Sequence, residues 1–147
     1  SPEIWREFIK PNEIRYVKKI HDYGMIYMHH SCGYIRQIIP DLVEIGVDSW
    51  HSVQPNNDLH MLKQTYGDKI VFAGCVSPAA TDRADSTEEE IRAEVRRVID
   101  DLGRGGGLMA SSAVMFSVVP GVDGIIDDEG TKYGKYAELN KANKWTA

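Results

Sequence analysis

Apolar positions along this chain switch between a 3.6-residue period and short continuous runs, which predicts helices alternating with buried strands. Ser1 and Pro2 read as an N-cap with proline at the first helical position, and Ile4, Phe8 and Ile9 then give one apolar face. Pro11 lacks an N–H and clashes with the preceding turn, so it is expected to kink or restart that helix. Ile14, Val17 and Ile20 carry the period on until Gly24 stops it. Residues 25–29 (MIYMH) read as a strand, with His30-Ser31-Cys32-Gly33 as a polar turn at its end. A helix over 35–45, with Ile38, Leu42 and Ile45 on one side, is closed by Gly46, and residues 47–51 form the second strand.

The unit then repeats. Residues 58–66 read as a helix ended by Gly67-Asp68, and residues 70–73 (IVFA) as a third strand running into Gly74-Cys75. Thr87 and Glu90 make a capping box, each side chain satisfying the other's free backbone N–H, and Ile91, Val95, Val98 and Leu102 follow at helical spacing up to Gly103. A turn at Gly105-Gly106-Gly107 precedes a fourth strand over 108–112. Beyond Pro120, Gly121, Gly124, Gly130 and Gly134 interrupt any period, and one terminal helix is expected from Tyr136 to Trp145.

Strands joined by crossover helices lie parallel, and such crossovers are right-handed. The fold class is therefore α/β, with about four parallel strands and helices on one face. A closed barrel of eight such units needs roughly 250 residues, and this chain of 147 carries about half of that. Periodicity alone leaves two architectures open: an open four-stranded sheet, or a piece of a barrel.

Composition narrows the function classes more than the fold. Apolar residues make up 42% and charged residues 27%, which fits an ordinary globular domain. With 17 basic against 22 acidic residues, the net charge of −5 argues against a nucleic-acid or phospholipid partner. No apolar run reaches the roughly 18–20 residues that span a bilayer. The opening SPEIWREFIK is charged and amphipathic, unlike a signal peptide, and two cysteines in such a chain read as free thiols. Together these features predict a cytoplasmic protein.

In parallel α/β folds the functional groups gather at the C-terminal ends of the strands. The predicted ends hold His29, His30 and Cys32 on the first strand, Asp48, His51 and Gln54 on the second, Cys75 on the third, and Ser111 and Ser112 on the fourth. His30 and Cys32 are the most informative. An H-x-C spacing just past a strand can turn an imidazole nitrogen and a thiolate toward one point, and zinc accepts that mixed donor set. A small buried cysteine beside a hydrogen-bonded histidine has the same spacing. His29 is expected on the other side of the strand, His21 and His60 on solvated helices, and His51 as a hydrogen-bonded rim residue. The Gly105–Gly107 run precedes a strand, so it lacks the strand–glycine–helix order of a phosphate loop. Glu88-Glu89-Glu90 suits a helix N-terminus through the macrodipole, and Asp127-Asp128-Glu129 reads as a solvated loop.

Five segments follow one another in order: SPEIWREFIKPNEIRYVKKIHDYG, HSCGYIRQIIPDLVEIGVD, VQP at 53–55, YGDKIVFAGCVSP and TEEEIRAEVRRVIDDLGRGGGLMAS. This succession, over roughly residues 1–113, resembles strands five to eight of the uroporphyrinogen decarboxylase superfamily, on the branch of its cobamide-dependent methyltransferases. The resemblance implies that residues 1–147 are the C-terminal half of a (β/α)₈ TIM barrel, with half of the active site outside the chain.

One branch of that family decarboxylates porphyrinogens without metal or cofactor. Another moves methyl groups between corrinoid proteins and thiols or folates, and its thiol-methylating members hold zinc with His-x-Cys plus a later Cys. His30 and Cys32 match the first two ligands, whereas the chain reads Ser111-Ser112-Ala113-Val114 where the later cysteine is expected. The decarboxylase's strand-eight histidine would fall near Ala113 or Val114 as well, and its catalytic aspartate and arginines belong to the N-terminal half. The expectation is therefore part of a zinc-dependent methyltransferase, with methylcobamide on a partner corrinoid protein as substrate and with Gln54 and Asp48 binding substrate. Cys75, the one other cysteine, is expected to complete the zinc set with His30 and Cys32. Adjacent strand ends lie about 5 Å apart, so Cys75, two strands away, is about 10 Å from Cys32; zinc bonds of about 2.3 Å reach across that gap and a disulfide does not. A porphyrinogen decarboxylase and a non-catalytic half-barrel assembly module are the alternatives. Open strand edges further predict a homo-oligomer, two copies pairing edge to edge in two-fold symmetry.

Overall fold

The computed structural model describes residues 1–135; the terminal helix expected from Tyr136 lies outside them. The chain opens with helix α1 (Pro2–Ile4), capped by Ser1 Oγ, which accepts from the Ile4 N–H at 3.4 Å. A π-helical turn, Trp5–Ile9, then leads into α2 (Lys10–Asp22). The wider turn is how the helix takes Pro11, whose ring and missing N–H break a regular ladder. Val17 is buried from α2, whereas Ile4, Phe8, Ile9 and Ile14 stay exposed.

Next come β1 (Met28–His30), a 3₁₀ turn at Arg36–Ile38, α3 (Ile39–Glu44), β2 (Ser49–Val53), α4 (Leu59–Tyr66) and β3 (Val71–Val76). The described chain finishes with α5 (Pro78–Thr81), α6 (Glu88–Leu102), β4 (Leu108–Ser112) and α7 (Val122–Tyr133). The four strands form one parallel sheet in the order β1-β2-β3-β4. Strands in simple sequence order are what consecutive units of a (β/α)₈ barrel give; a doubly wound sheet reverses its order at a switch point. The architecture is thus that of a partial barrel.

Two rows of side chains cross the sheet. His29, Trp50, Phe72 and Leu108 are register partners on one face, all buried. Trp50, Phe72 and Leu108 pack in a cluster with Val17, Leu42, Leu62, Val95 and Ile99 from the helices, and Trp50 meets Phe72 edge-on at 5.8 Å between ring centroids. His30, His51, Ala73 and Met109 form the next row, pointing to the opposite face.

Helix α6 starts as its sequence predicts, with Thr87 Oγ1 accepting from the Glu90 N–H and Glu90 accepting from the Thr87 N–H. Residues 127–129, expected as a solvated loop, instead belong to α7, because Arg92 and Arg96 of α6 bind Glu129 at 2.8 Å each and bury it. Gly105, Gly106 and Gly107 are all left-handed (φ 78, 84 and 67), and the buried Lys63 ammonium donates to the Gly106 carbonyl at 2.5 Å. They are a turn, as expected. Among the described residues no helix is long and apolar enough to cross a membrane.

Candidate functional site

The C-terminal ends of β1 and β2 carry a compact polar group. His30 and His51 are register partners on adjacent strands, and their Nδ1 atoms lie 2.7 Å apart. The other ring nitrogen of His30, Nε2, is 3.5 Å from Cys32 Sγ. Cys32 Sγ is in turn 3.2 Å from the hydroxyl of Ser52, which donates to the Ala113 carbonyl beyond β4 at 2.8 Å. Burial, and after it the charge facing it from His30, holds the His51 imidazole below its ordinary range.

The loop that presents Cys32 is tied down from β2. Gly33 N donates to Gln54 Oε1 at 3.2 Å. Buried Asn57 accepts from the N–H groups of Ile35 and Arg36 at 2.8 and 3.0 Å and donates to the carbonyls of Gly33 and Gln54 at 2.9 and 3.0 Å. Trp50 Nε1 donates to the Ser31 carbonyl at 3.0 Å. These bonds fix the H-S-C-G turn from the far side of the sheet edge, which leaves His30 and Cys32 exposed on a rigid frame.

The sequence places His30, Cys32, Gln54 and His51 at this rim correctly, but three other expectations change. Asp48 precedes β2 rather than ending it, because the strand runs from Ser49 to Val53, two residues later than its apolar run suggests. Its carboxylate accepts from the Tyr27 N–H and pairs with His21 Nε2, both at 2.7 Å. Burial pushes the Asp48 carboxyl up, but these two partners outweigh it and hold it below the usual range. Asp48 therefore braces the opposite end of the sheet, away from any substrate at the mouth, and His21 is bonded rather than merely solvated.

Cys75 is likewise displaced. Gly74 and Cys75 both adopt positive φ (128 and 74), which breaks the strand's alternation. The thiol ends in the core among Leu59, Leu102 and Arg97, 1% exposed, instead of beside Cys32. Burial pushes the thiol up to about 12, well above the range of a thiolate ligand. His29 does turn to the helix side, as alternation requires, where its Nδ1 lies 3.2 Å from the buried carboxylate of Glu13.

The sequence profile of the family described as Uroporphyrinogen decarboxylase (URO-D) matches residues 1–120 of this chain. The chain belongs to that family. No curated protein matches it closely enough to add an activity. The uroporphyrinogen decarboxylase match spans all four strands and the whole polar group, so the family's barrel mouth is the end where His30, Cys32, His51 and Ser52 meet.

The zinc that the family resemblance implies can be tested against these donors. Zinc bonds of about 2.3 Å to sulfur and about 2.0 Å to nitrogen at a tetrahedral angle set sulfur and nitrogen roughly 3.5 Å apart. Cys32 Sγ and His30 Nε2 are 3.5 Å apart, so this pair fits as two of the donors. Among the described residues no group of three or more His, Cys, Asp and Glu side chains comes together to hold an ion. Ser112, at the end of β4, accepts from the Val114 N–H at 3.3 Å and offers no soft donor.

Proposed function

We propose that this chain supplies the C-terminal half of the active site of a methyltransferase of the uroporphyrinogen decarboxylase family, moving a methyl group between a corrinoid protein and a thiol or folate acceptor. The reading is carried by one observation: His30 Nε2 and Cys32 Sγ stand 3.5 Å apart at the strand ends, the spacing of two ligands on one zinc. A metal-free decarboxylase has no use for an imidazole–thiol pair, and the position near Ala113 and Val114 where its histidine would fall holds none.

His30 and Cys32 would hold the zinc, with a further donor from outside the described residues. The ion, once bound, keeps a thiol substrate as a thiolate nucleophile at neutral pH. The chain's own residues act around it: Gln54 and Asn57 hold the loop that presents Cys32, and Trp50 anchors Ser31 at its base. The methyl group arrives on the corrinoid of a partner protein, which docks at this open rim.

Cobalt(II) titration tests the assignment, because thiolate–cobalt bonds give an intense charge-transfer absorption. The band is expected in the wild-type chain, absent in Cys32→Ser and retained in Cys75→Ser. A band that survives Cys32→Ser and disappears in Cys75→Ser would put the metal in the core and overturn the reading. Wild-type protein with no band sinks the metal assignment and favours a non-catalytic half-barrel.

A further inference from the structure

We infer that His51 and Ser52, neighbours on β2, are both positioning residues for the His30–Cys32 pair, brought to the same side of the sheet by a bulge in their strand. The inference rests on the reading of that pair as donors to a soft divalent cation.

Successive residues of a strand point to opposite faces, so two neighbours should not reach the same group. His51 and Ser52 do: one contacts the His30 ring at 2.7 Å and the other the Cys32 sulfur at 3.2 Å. The register shows how. His51 pairs with Ala73, but the next pairing to β3 is Val53 with Gly74, so Ser52 is skipped. Ser52 takes up the extra length at φ 65, in the left-handed region that side chains with a Cβ rarely adopt. Glycine would make this bulge more easily. What serine adds is its hydroxyl, fully buried, spanning the β1 loop, β2 and the segment after β4. Strained backbone persists where its surroundings over-determine it, and such places cluster at functional sites.

Each contact sets one donor. The 2.7 Å Nδ1···Nδ1 bond needs one proton between its two nitrogens. If His30 carries it, His30 Nε2 keeps its lone pair and aims it beside Cys32; His51 is then the acceptor and carries its own proton on Nε2. The opposite arrangement would put an N–H where an ion must bind. A partner on the second nitrogen is how ligating histidines are commonly fixed, and losing it lowers metal affinity about 10–100-fold. The Ser52 hydroxyl lies 2.8 Å from the Ala113 carbonyl and 3.2 Å from Cys32 Sγ, so it steadies the sulfur from β2: its oxygen accepts from the Cys32 thiol while its proton is on the carbonyl, and the hydroxyl can turn that proton to the sulfur once Cys32 is a thiolate.

Two readouts test this, one of them without metal. Imidazole ¹⁵N–¹H spectra of the metal-free protein are expected to show His30 protonated on Nδ1 and bare on Nε2. His51→Leu should mix the tautomers, and His51→Gln, whose side-chain oxygen accepts the same bond, should restore the single one. Cobalt(II) affinity should fall about 10–100-fold in His51→Leu and Ser52→Gly and recover in His51→Gln. The melting temperature of Ser52→Gly should change little, since glycine is at ease at that φ. A wild-type His30 protonated on Nε2, or a tautomer unmoved by His51→Leu, overturns the role of His51 whatever the metal does. Equal cobalt affinity in Ser52→Gly and wild type overturns that of Ser52. A single Nδ1–H tautomer that depends on His51, in a chain that binds no cobalt, upholds the positioning role while removing the zinc reading. Should the leucine variant fail to fold, the glutamine variant still reports, because loss of the tautomer there counts against the acceptor role.

Discussion

Arg6 grips the carboxylate of Asp41 across 35 residues, Nε reaching both oxygens at 3.1 and 3.0 Å and an NH2 nitrogen adding a third bond at 2.9 Å. Lys10 joins at 2.8 Å, so the π-helical turn and the start of α2 are pinned to α3 through one buried acid. These partners, Arg6 foremost, hold the Asp41 carboxyl below the usual range against the opposing effect of burial. A depressed carboxyl stabilises the fold fully above its unfolded value of about 3.9 and loses that contribution as pH falls through the folded value. Acid titration of the melting temperature should therefore show a loss below about pH 4 that Asp41→Asn lacks. At pH 7 the variant should be less stable by about 1–2 kcal/mol, a modest figure because Arg6 is half-exposed.

The two cysteines should separate cleanly in alkylation. Iodoacetamide on the native protein is expected to modify exposed Cys32 and leave Cys75 untouched, with both modified after denaturation. Mass spectrometry of the peptides reads the result, and labelling of native Cys75 at the rate of Cys32 would contradict its burial. The raised Cys75 thiol also has a sign in pH: its contribution is complete below the unfolded value of roughly 8.5 and fades as pH rises toward about 12. Cys75→Ala should flatten that alkaline loss.

Asn57 is the residue whose removal should damage the rim most. It is fully buried and uses both its oxygen and its nitrogen on backbone groups of the Cys32 loop and the β2 end. Asn57→Ala leaves those groups without partners, for an expected loss of about 3 kcal/mol in urea unfolding. An Asn57→Asp variant, which keeps the acceptor and loses the donor, should fall in between.

Self-association is a prediction drawn from the sheet's edges. Among the described residues β1 and β4 each pair on one side only, and Met28 and Met109, on these outer strands, are 44% and 53% exposed. Unpaired edges and open apolar surface favour a second copy. Light scattering should give a mass above that of the monomer, rising with concentration; a monomer at every concentration would exclude it.

Much of the fold is legible in the chain because helices and turns announce themselves locally. The Thr87–Glu90 box and the Ile91–Leu102 period set α6, and the alternation of His29 and His30 assigns one to the core and the other to the rim. Strand limits are less legible, since an apolar run records burial and not pairing: Met25 and Ile26 read as strand yet lie exposed before it, and Asp48 moves to the wrong end as a result. Helix α7 is hidden by Gly124 and Gly130, and what holds it is distant, the arginines of α6. Ser52 leaves no trace, because a left-handed serine has no sequence mark, whereas a glycine or asparagine there would have suggested a bulge.

The sheet's simple strand order also bears on how the chain reaches its native state. Ladder partners His30 and His51 are separated by 21 residues, and Ser49 and Val71 by 22. Closing a loop becomes costlier only slowly with length, by about 0.6 kcal/mol per doubling, so each of these pairings forms at nearly the same entropic expense. The crossover from Phe72 to Leu108 is the longest of the three. Short-range closures come early in folding when topology sets the rate. The first three strands, which bear the histidine pair, would then dock before the fourth is captured, and the rim would acquire its shape while the segment carrying Ala113 is still free.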